Sequence, residues 1–221
     1  MPLYVFALAD QVPDRPLGKG IGFPLSVRRL PGCAAVVERR ADVPPIELGA
    51  LKSHDRVVSA VWKLVPAVLP VRFGTLLDPE ELRDALEGRE EELDEAFAGV
   101  RDRGQFTWRA RTPARARSIG SPLAEGRTPE SGTDYLRRVA RRVLPAPPKR
   151  YDALRAALKP FIVRERFDPA RGAAPERLYH LVEKTRMDEY AAIARGLPAG
   201  PSALSLTGPW PPYAFAPEIL R

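Results

Sequence analysis

The stretch Leu51–Leu77, LKSHDRVVSAVWKLVPAVLPVRFGTLL, decides the fold because its hydrophobic period changes partway along. Its first half carries an apolar stripe at the spacing of an α-helix, formed by Val57, Val58, Val61, Trp62 and Val65. We take Ser53, ahead of that stripe, as the N-cap. Pro66 has no amide hydrogen to donate, so it ends or kinks the helix.

The second half of the stretch reads as a β-strand. After Pro70 the apolar and polar side chains alternate, which places Val71, Phe73 and Thr75 on one face and Arg72 on the other. We expect Phe73 to be buried beside Val71. An amphipathic helix followed by such a strand is half of a two-layer α+β unit.

Helices and strands of the same kinds fill the rest of the chain. In the first half, further strands are predicted at Leu3–Ala9, buried on both faces and central, and at Leu25–Leu30, Cys33–Arg39 and Gln105–Arg111. Asp78-Pro79-Glu80-Glu81 is a strong start for a helix that runs to about Arg101. In the second half, helices are predicted at 134–143, 151–159 and 187–195, the last with a capping box at Thr185, and strands at 161–167, 176–184 and 203–207.

The segment Thr112–Thr133 is the best candidate for a linker, since it is rich in proline, glycine, serine and arginine. It would separate an N-terminal α+β domain, residues 1–111, from a C-terminal α+β domain, residues 134–221, that ends in an aromatic and proline-rich tail. The predicted fold is α+β, with two small domains. Each would be a ferredoxin-like mixed or antiparallel sheet with helices on one face.

The composition is that of a soluble globular protein with a basic surface. Hydrophobic residues make up 44% and charged residues 29% of the 221 residues, and the formal net charge is +7. That excess is consistent with an anionic partner without choosing among nucleic acid, a membrane surface and an acidic protein. Cys33 is the only cysteine, which fits a reducing cytoplasm and a buried core thiol. We see no apolar run of about 18 residues, so no membrane segment is expected.

Nothing in the sequence has the pattern of a catalytic, cofactor or metal site. The chain has two histidines, His54 and His180, and a single thiol, without HxxxH or CxxC spacing. His54 is expected at a helix start, bonded to backbone or exposed, and His180 in the core. The glycines of Gly18–Gly22, GKGIG, favour a plain loop over a phosphate cradle, since no strand directly precedes them and no helix follows.

Arginines and tail aromatics are the candidate partner-binding residues. The arginine cluster from Arg101 to Arg142 is either a solvated face or a docking surface for acidic side chains, which arginine binds bidentately. Trp210, Tyr213 and Phe215 either anchor the tail in a groove of the core, the reading we favour, or form an exposed aromatic patch. The candidate binding residues are Arg72, Arg109, Arg111, Arg137, Arg138, Trp210 and Tyr213.

Four stretches resemble the gas vesicle protein GvpL/GvpF family, in the family's order. They are LYVFALA at the N-terminus, the segment from His54 to LPVRFGT, SGTDYL at Ser131–Leu136, and LTGPWPPYAF at Leu206–Phe215. LPVRFGT and GPWPPYAF together are fairly specific. The sequence departs from the family at APPK, around Pro147, which interrupts the long helix that follows SGTDYL in the family.

The resemblance implies a gas vesicle accessory protein with two α+β domains and no enzymatic activity. Such proteins are needed for vesicle assembly and interact with the small hydrophobic shell protein GvpA and with other accessory proteins. A chaperone role or a structural role would fit, in the cytoplasm and in association with gas vesicles. The alternative is an RNA-binding module of ferredoxin-like fold, but we see no stretch that matches the RNP1 pattern, so nucleic acid is not the expected partner.

Overall fold

A computed structural model describes residues 1–110, 146–171, 174–197 and 204–220. Within these ranges the chain forms two antiparallel sheets with helices packed on them. The α+β fold class is thereby confirmed. The expected linker 112–133 and the expected helix 134–143 lie outside the described residues, so the division into two domains stays a prediction.

The first sheet has five strands, with the order β2-β3-β1-β4 and β5 also paired with β1. The strands are β1 Leu3–Ala9, β2 Leu25–Leu30, β3 Cys33–Arg39, β4 Val68–Pro70 and β5 Leu76–Leu77. All seven residues of β1 are buried, and β1 has neighbours on both edges. The central position predicted for this strand is therefore confirmed.

Three helices accompany the first sheet: α1 Leu48–Leu64, α2 Pro79–Asp84 and α3 Glu90–Val100. Val57 and Val61 of α1 share one core cluster with Tyr4 of β1. Phe97 of α3 shares the other cluster with Val5 of the same strand. Apolar side chains therefore cover both faces, which is why β1 carries no charged residue.

Two helix boundaries differ from the sequence prediction. Glu47, not Ser53, is the N-cap of α1, and it makes no side-chain capping bond. The single helix predicted from Pro79 to Arg101 is two helices, because Gly88 between them adopts φ 71°, a left-handed conformation that interrupts a helix. The predicted start at Pro79 is correct, and the carboxylate of Glu81 accepts the amide of Asp78 at 2.9 Å.

The strand predicted for Val71–Thr75 is wrong, because these residues form a turn between β4 and β5. Gly74 adopts φ 94°, and the amide of Thr75 donates to the carbonyl of Arg72 at 3.3 Å. Phe73 is consequently half-buried rather than on the buried face of a strand. Alternation over five residues did not distinguish this turn from a strand, since glycine allows the chain to reverse.

The second sheet has four strands in the order β7-β8-β6-β9. They are β6 Arg103–Ala110, β7 Ile162–Asp168, β8 Arg177–Glu183 and β9 Leu204–Trp210. The strand predicted at Gln105–Arg111 exists, but it pairs with β8 and β9 rather than with the strands of the first half. Local sequence gives a strand's existence, whereas its partners depend on apolar faces that are distant in the chain.

Two helices, α4 Asp152–Leu158 and α5 Met187–Gly196, cover one face of the second sheet. Phe106 and Tyr190 stack with ring centroids 4.4 Å apart, and the indole of Trp108 donates to the Tyr190 hydroxyl at 2.8 Å. The capping box predicted at Thr185 is not formed, since Arg186 is the N-cap of α5 and makes no side-chain bond.

A polar joint connects the two sheets. The Lys184 ammonium donates to the carbonyls of Trp62 and Val65, at 2.8 and 2.9 Å, and so satisfies the last turn of α1. The indole of Trp62 donates to the carbonyl of Arg103 at 2.8 Å. Burial lowers the pKa of Lys184, a cost that these bonds offset. These hydrogen bonds therefore join the end of α1 to the start of β6 and to the residue that follows β8.

The C-terminal tail lies across both sheets. Phe215, Ile219 and Leu220 are buried in the core cluster of the first sheet. The side-chain oxygen of Gln105, on β6, accepts the amide of Ala214 at 2.7 Å. The tail therefore fixes one face of the second sheet against the core of the first.

Candidate interaction surfaces

His54 holds the turn at residues 71–75. Its Nε2 lies 3.1 Å from the carbonyl of Val71, and its Nδ1 lies 2.9 Å from the Tyr4 hydroxyl. A carbonyl only accepts, so Nε2 carries the proton and Nδ1 accepts from Tyr4. The Tyr4 hydroxyl in turn accepts the amide of Gly74 at 3.2 Å. The backbone bond expected for His54 is thus present, but the ring is buried, and burial lowers its pKa.

His180 belongs to a buried chain of polar groups in the second sheet. Its Nδ1 accepts from the Tyr190 hydroxyl at 2.8 Å, and its Nε2 donates to the Glu165 carboxylate at 3.1 Å. Burial alone would raise the pKa of Glu165, but the bonds from His180 and Arg155 outweigh it and hold that pKa at about 2. Burial lowers the pKa of His180 itself. The imidazole has no exposed surface, so this core position is structural and its atoms do not meet an external substrate.

The GKGIG loop binds a carboxylate of the protein's own. The buried Glu38 carboxylate accepts the amides of Ile21 and Gly22, at 2.6 and 3.3 Å. A Cβ on Gly20 would overlap that carboxylate, which is why glycine stands there. The amides that could hold a phosphate are therefore occupied, and the structure agrees with the loop interpretation.

Within the described ranges, no group of three or more histidine, cysteine, aspartate or glutamate side chains is arranged to hold a metal ion. Burial raises the pKa of Cys33 to about 11, so the thiol stays protonated at neutral pH. Over the same ranges, no helix is both long and apolar enough to cross a membrane.

The structure divides the predicted binding residues among separate places. Arg72 is exposed in the turn at residues 71–75 of the first sheet. Arg109, Trp210 and Tyr213 line one open cleft on the second sheet. The remaining three, Arg111, Arg137 and Arg138, lie outside the described residues.

This arginine cleft has a volume of about 540 Å³, and five side chains define it: Arg109, Arg166, Arg177, Trp210 and Tyr213. Trp210 keeps 39% of its surface exposed, so it is not the core anchor that we favoured from the sequence. Of the three aromatic side chains expected to anchor the tail, Phe215, at 7% exposure, is the one that is buried. The Tyr213 hydroxyl donates to Asp55 at 2.7 Å, and burial together with this carboxylate raises the pKa of Tyr213.

A second surface, which sequence reasoning missed, is formed by apolar side chains between β3 and the first turns of α1. Ile46 is 83% exposed and Leu48 68%, and Val43 and Leu51 are also exposed. We call Val43–Leu51 the apolar segment. A usable signal was present, because these side chains flank Pro44-Pro45 and fall outside the buried stripe of α1.

Comparison with known proteins places the whole chain in a family. Residues 2–217 match the family described as gas vesicle synthesis protein GvpL/GvpF. Over 184 residues the chain is 29% identical to gas vesicle protein L of Streptomyces sp. (strain CB03234), covering 76% of this chain and 68% of that protein.

Two solved structures share the fold. The crystal structure of GvpF from Microcystis aeruginosa has a TM-score of 0.71 at 15% identity, covering 98% of this chain and 99% of its own. GvpF from Anabaena sp. PCC7120 also gives 0.71, at 16% identity, covering 98% and 96%. The resemblance expected from the sequence is confirmed, and the chain belongs to the GvpL/GvpF family of gas vesicle synthesis proteins.

Proposed function

We propose that this protein binds the small hydrophobic shell protein GvpA and shields it from aggregation until it joins the growing vesicle wall. Family membership supports an accessory role in gas vesicles. The observation that carries the choice of partner is the exposure of Ile46 and Leu48 in the apolar segment. Other gas vesicle accessory proteins would bind elsewhere on the surface of this protein.

The apolar segment has the properties of a contact for an apolar partner. Isolated exposed apolar residues are common on protein surfaces, but several within nine residues mark an interaction site. Fully covering a side chain of the size of Ile46 or Leu48 is worth about 1.5–3 kcal/mol. The contact would thus supply much of the affinity that a transient chaperone complex needs.

Arg72 gives the apolar segment a charged neighbour. Val43 lies beside Gly74, since a Cβ built on that glycine would be 3.6 Å from the valine methyl. The segment therefore borders the turn that presents Arg72, whose side chain is exposed. Complementary charge of this kind speeds encounter and selects register, while apolar contact supplies the affinity.

We also infer a cytoplasmic location. Cys33 is a free, buried thiol, as is usual in a reducing compartment. Association with gas vesicles would then follow from binding to the shell protein.

The test is capture of GvpA by this protein after the two are produced together. We expect Ile46→Ser combined with Leu48→Ser to reduce capture at least tenfold, because both side chains lose apolar contact area. The matched control is Val163→Ser combined with Ile193→Ser, two apolar side chains of 39% and 37% exposure on the second half. Equal loss in the two double variants, or no capture by the unmodified protein, would contradict the proposal.

A further inference from the structure

We propose that the arginine cleft binds the carboxylates of an acidic peptide segment from a partner protein. Its primary ligands would be Arg109 and Arg177, with Trp210 contacting an apolar side chain of the same peptide. The proposal rests on the proposed function, because it takes the peptide to belong to a gas vesicle protein. The acidic peptide would therefore bind at a surface separate from the apolar segment.

Strand register places two positive charges side by side. Arg109 of β6 lies directly opposite Arg177 of β8. Directly opposite residues of antiparallel strands have Cβ atoms about 4.5–5.5 Å apart, and like charges there destabilise a sheet. Asp168 lies opposite Arg177 on its other side, so one row across the sheet reads Asp168, Arg177, Arg109.

Among the described residues, no carboxylate forms an ion pair with Arg109 or Arg177, although Asp168 lies next to Arg177 in the row. Asp168 accepts the Nε of Arg166 at 3.1 Å, and Asp55 accepts the Tyr213 hydroxyl. The Nε of Arg177 is buried and has no hydrogen-bond partner in the described part of the chain. No ion pair involves Arg177 within the described ranges, so its charge is available to an external carboxylate.

Glu218 is the remaining acidic residue that lines the cleft. It is exposed on the tail, and no ion pair involves it in the described ranges. This carboxylate is the competitor that an incoming peptide would meet. We therefore expect Glu218→Gln to strengthen peptide binding modestly.

The surroundings of the two arginines favour a peptide over a small anion. Trp210 and Tyr213 are each 39% exposed at the cleft, offering apolar area that a lone phosphate or carboxylate would leave uncovered. Buried Gln105 and Thr107 give the cleft a polar floor. A volume of about 540 Å³ accommodates several side chains, and arginine pairs bidentately with carboxylates.

The test is fluorescence anisotropy with a labelled peptide that alternates glutamate and leucine and has both ends blocked. We expect this peptide to bind the full chain, whereas the same peptide with glutamine for glutamate should bind at least tenfold more weakly. Arg109→Gln combined with Arg177→Gln should weaken binding of the acidic peptide at least tenfold. Arg109→Gln alone should weaken peptide binding severalfold. Because Arg109 is exposed, this single variant still tests the proposal if the double variant does not fold.

The matched control is Arg83→Gln combined with Arg195→Gln, which removes the same charge from two exposed helix positions. Equal loss in the two double variants would show a general charge effect and overturn the assignment. Tighter binding of single-stranded RNA that is lost in the cleft variant would also overturn it, in favour of nucleic acid. Absence of peptide binding while GvpA capture persists would end this proposal and leave the proposed function intact.

Discussion

The two sheets bury their faces differently. In the first, all seven residues of β1 are uncharged and buried, with α1 on one face and α3 on the other. In the second, β6 presents Phe106 and Trp108 to the helices, whereas Gln105, Thr107 and Arg109 face the tail and the arginine cleft. The difference indicates that the first sheet is chiefly a scaffold, while the second keeps a polar face available for recognition.

One buried histidine accompanies each sheet, His54 on α1 beside the first and His180 on β8 of the second, and the two have different second partners. Both accept from a tyrosine hydroxyl, but His54 donates to the backbone carbonyl of Val71 and His180 to the carboxylate of Glu165. His54 thus fixes a turn beside the apolar segment. His180 belongs to a charged network that also contains Arg155.

The largest expected effect comes from the core of the first sheet. Phe97→Ala should lower the free energy of unfolding by about 3–5 kcal/mol, since this ring is 1% exposed. Arg109→Ala, on the exposed polar face of the second sheet, should change it by no more than about 0.5 kcal/mol. Urea unfolding measures both. Similar losses of unfolding free energy in the two variants would contradict the distinction between a scaffold sheet and a sheet with a recognition face.

The tyrosine hydroxyls give the next effect. Tyr4→Phe and Tyr190→Phe should each cost about 1–3 kcal/mol, because each leaves buried groups without a hydrogen-bond partner. Tyr190→Phe should cost more stability, because it leaves the Trp108 indole and Nδ1 of His180, both buried, without a hydrogen bond. The Gly74 amide, which loses its bond in Tyr4→Phe, is only partly buried. A larger loss for Tyr4→Phe would reverse this ranking of the two networks.

Acid should destabilise both sheets through their histidines. The folded pKa values of His54 and His180 are lowered by burial, so the unfolded chain binds more protons below about pH 6.5. Stability is therefore full above that pH and is lost as the pH falls through it, by at most about 1.4 kcal/mol per pH unit for each histidine.

The measurement is the urea midpoint between pH 7.5 and 5.5 for the unmodified protein and for His54→Gln, each compared with its own value at pH 7.5. The substitution should flatten the dependence by removing one of the two titrating groups. The nearby Asp55 carboxylate acts against the effect of burial on His54, and Glu165 does so for His180. An unchanged slope in His54→Gln would show that this ring does not contribute.

The two tail aromatics, Trp210 and Phe215, should differ in their effect on stability. Because 39% of its surface is exposed on the recognition face, Trp210→Ala should cost less than Phe215→Ala, whose ring is 7% exposed in the core of the first sheet. The same Trp210 variant should weaken binding of the acidic peptide. If Trp210→Ala lowers stability as much as Phe215→Ala, Trp210 has a structural role rather than a role in recognition.

The domain division can be tested by limited proteolysis. Its predicted boundary, 112–133, should contain the first cuts, because the composition there is that of a linker. First cuts within Val57–Thr75 would contradict it. The pairing of β6 with β8 and β9 already shows that the second sheet begins before this segment.

Local chemistry made three of the five strands of the first sheet predictable from the sequence. β1, β2 and β3 have the predicted bounds, because their apolar runs are separated by turn residues such as Gly32, whose φ is 71°. The turn at residues 71–75 was not predictable in this way. Its geometry depends on His54 and Tyr4, which are distant in the chain.

The candidate sites depend even more on tertiary structure. Arg109 and Trp210 were identified as residue types suited to binding, but their meeting in one cleft follows from β6 pairing with β8 and β9. Arg166 and Arg177 were not singled out, since only the register places Arg177 opposite Arg109. The apolar segment was missed because Ile46 and Leu48 resemble buried residues in type, and their position beside Pro44-Pro45 and outside the stripe of α1 was not used.

The most direct test of the account is the effect of this protein on aggregation of purified GvpA, followed by light scattering after dilution from denaturant. We predict that an equimolar amount of this protein suppresses scattering. The Ile46→Ser and Leu48→Ser double variant should lose the effect, while the control pair Val163→Ser and Ile193→Ser should retain it. Scattering that is unchanged by the unmodified protein, or suppressed equally by both double variants, would contradict the claim that the apolar segment shields the shell protein.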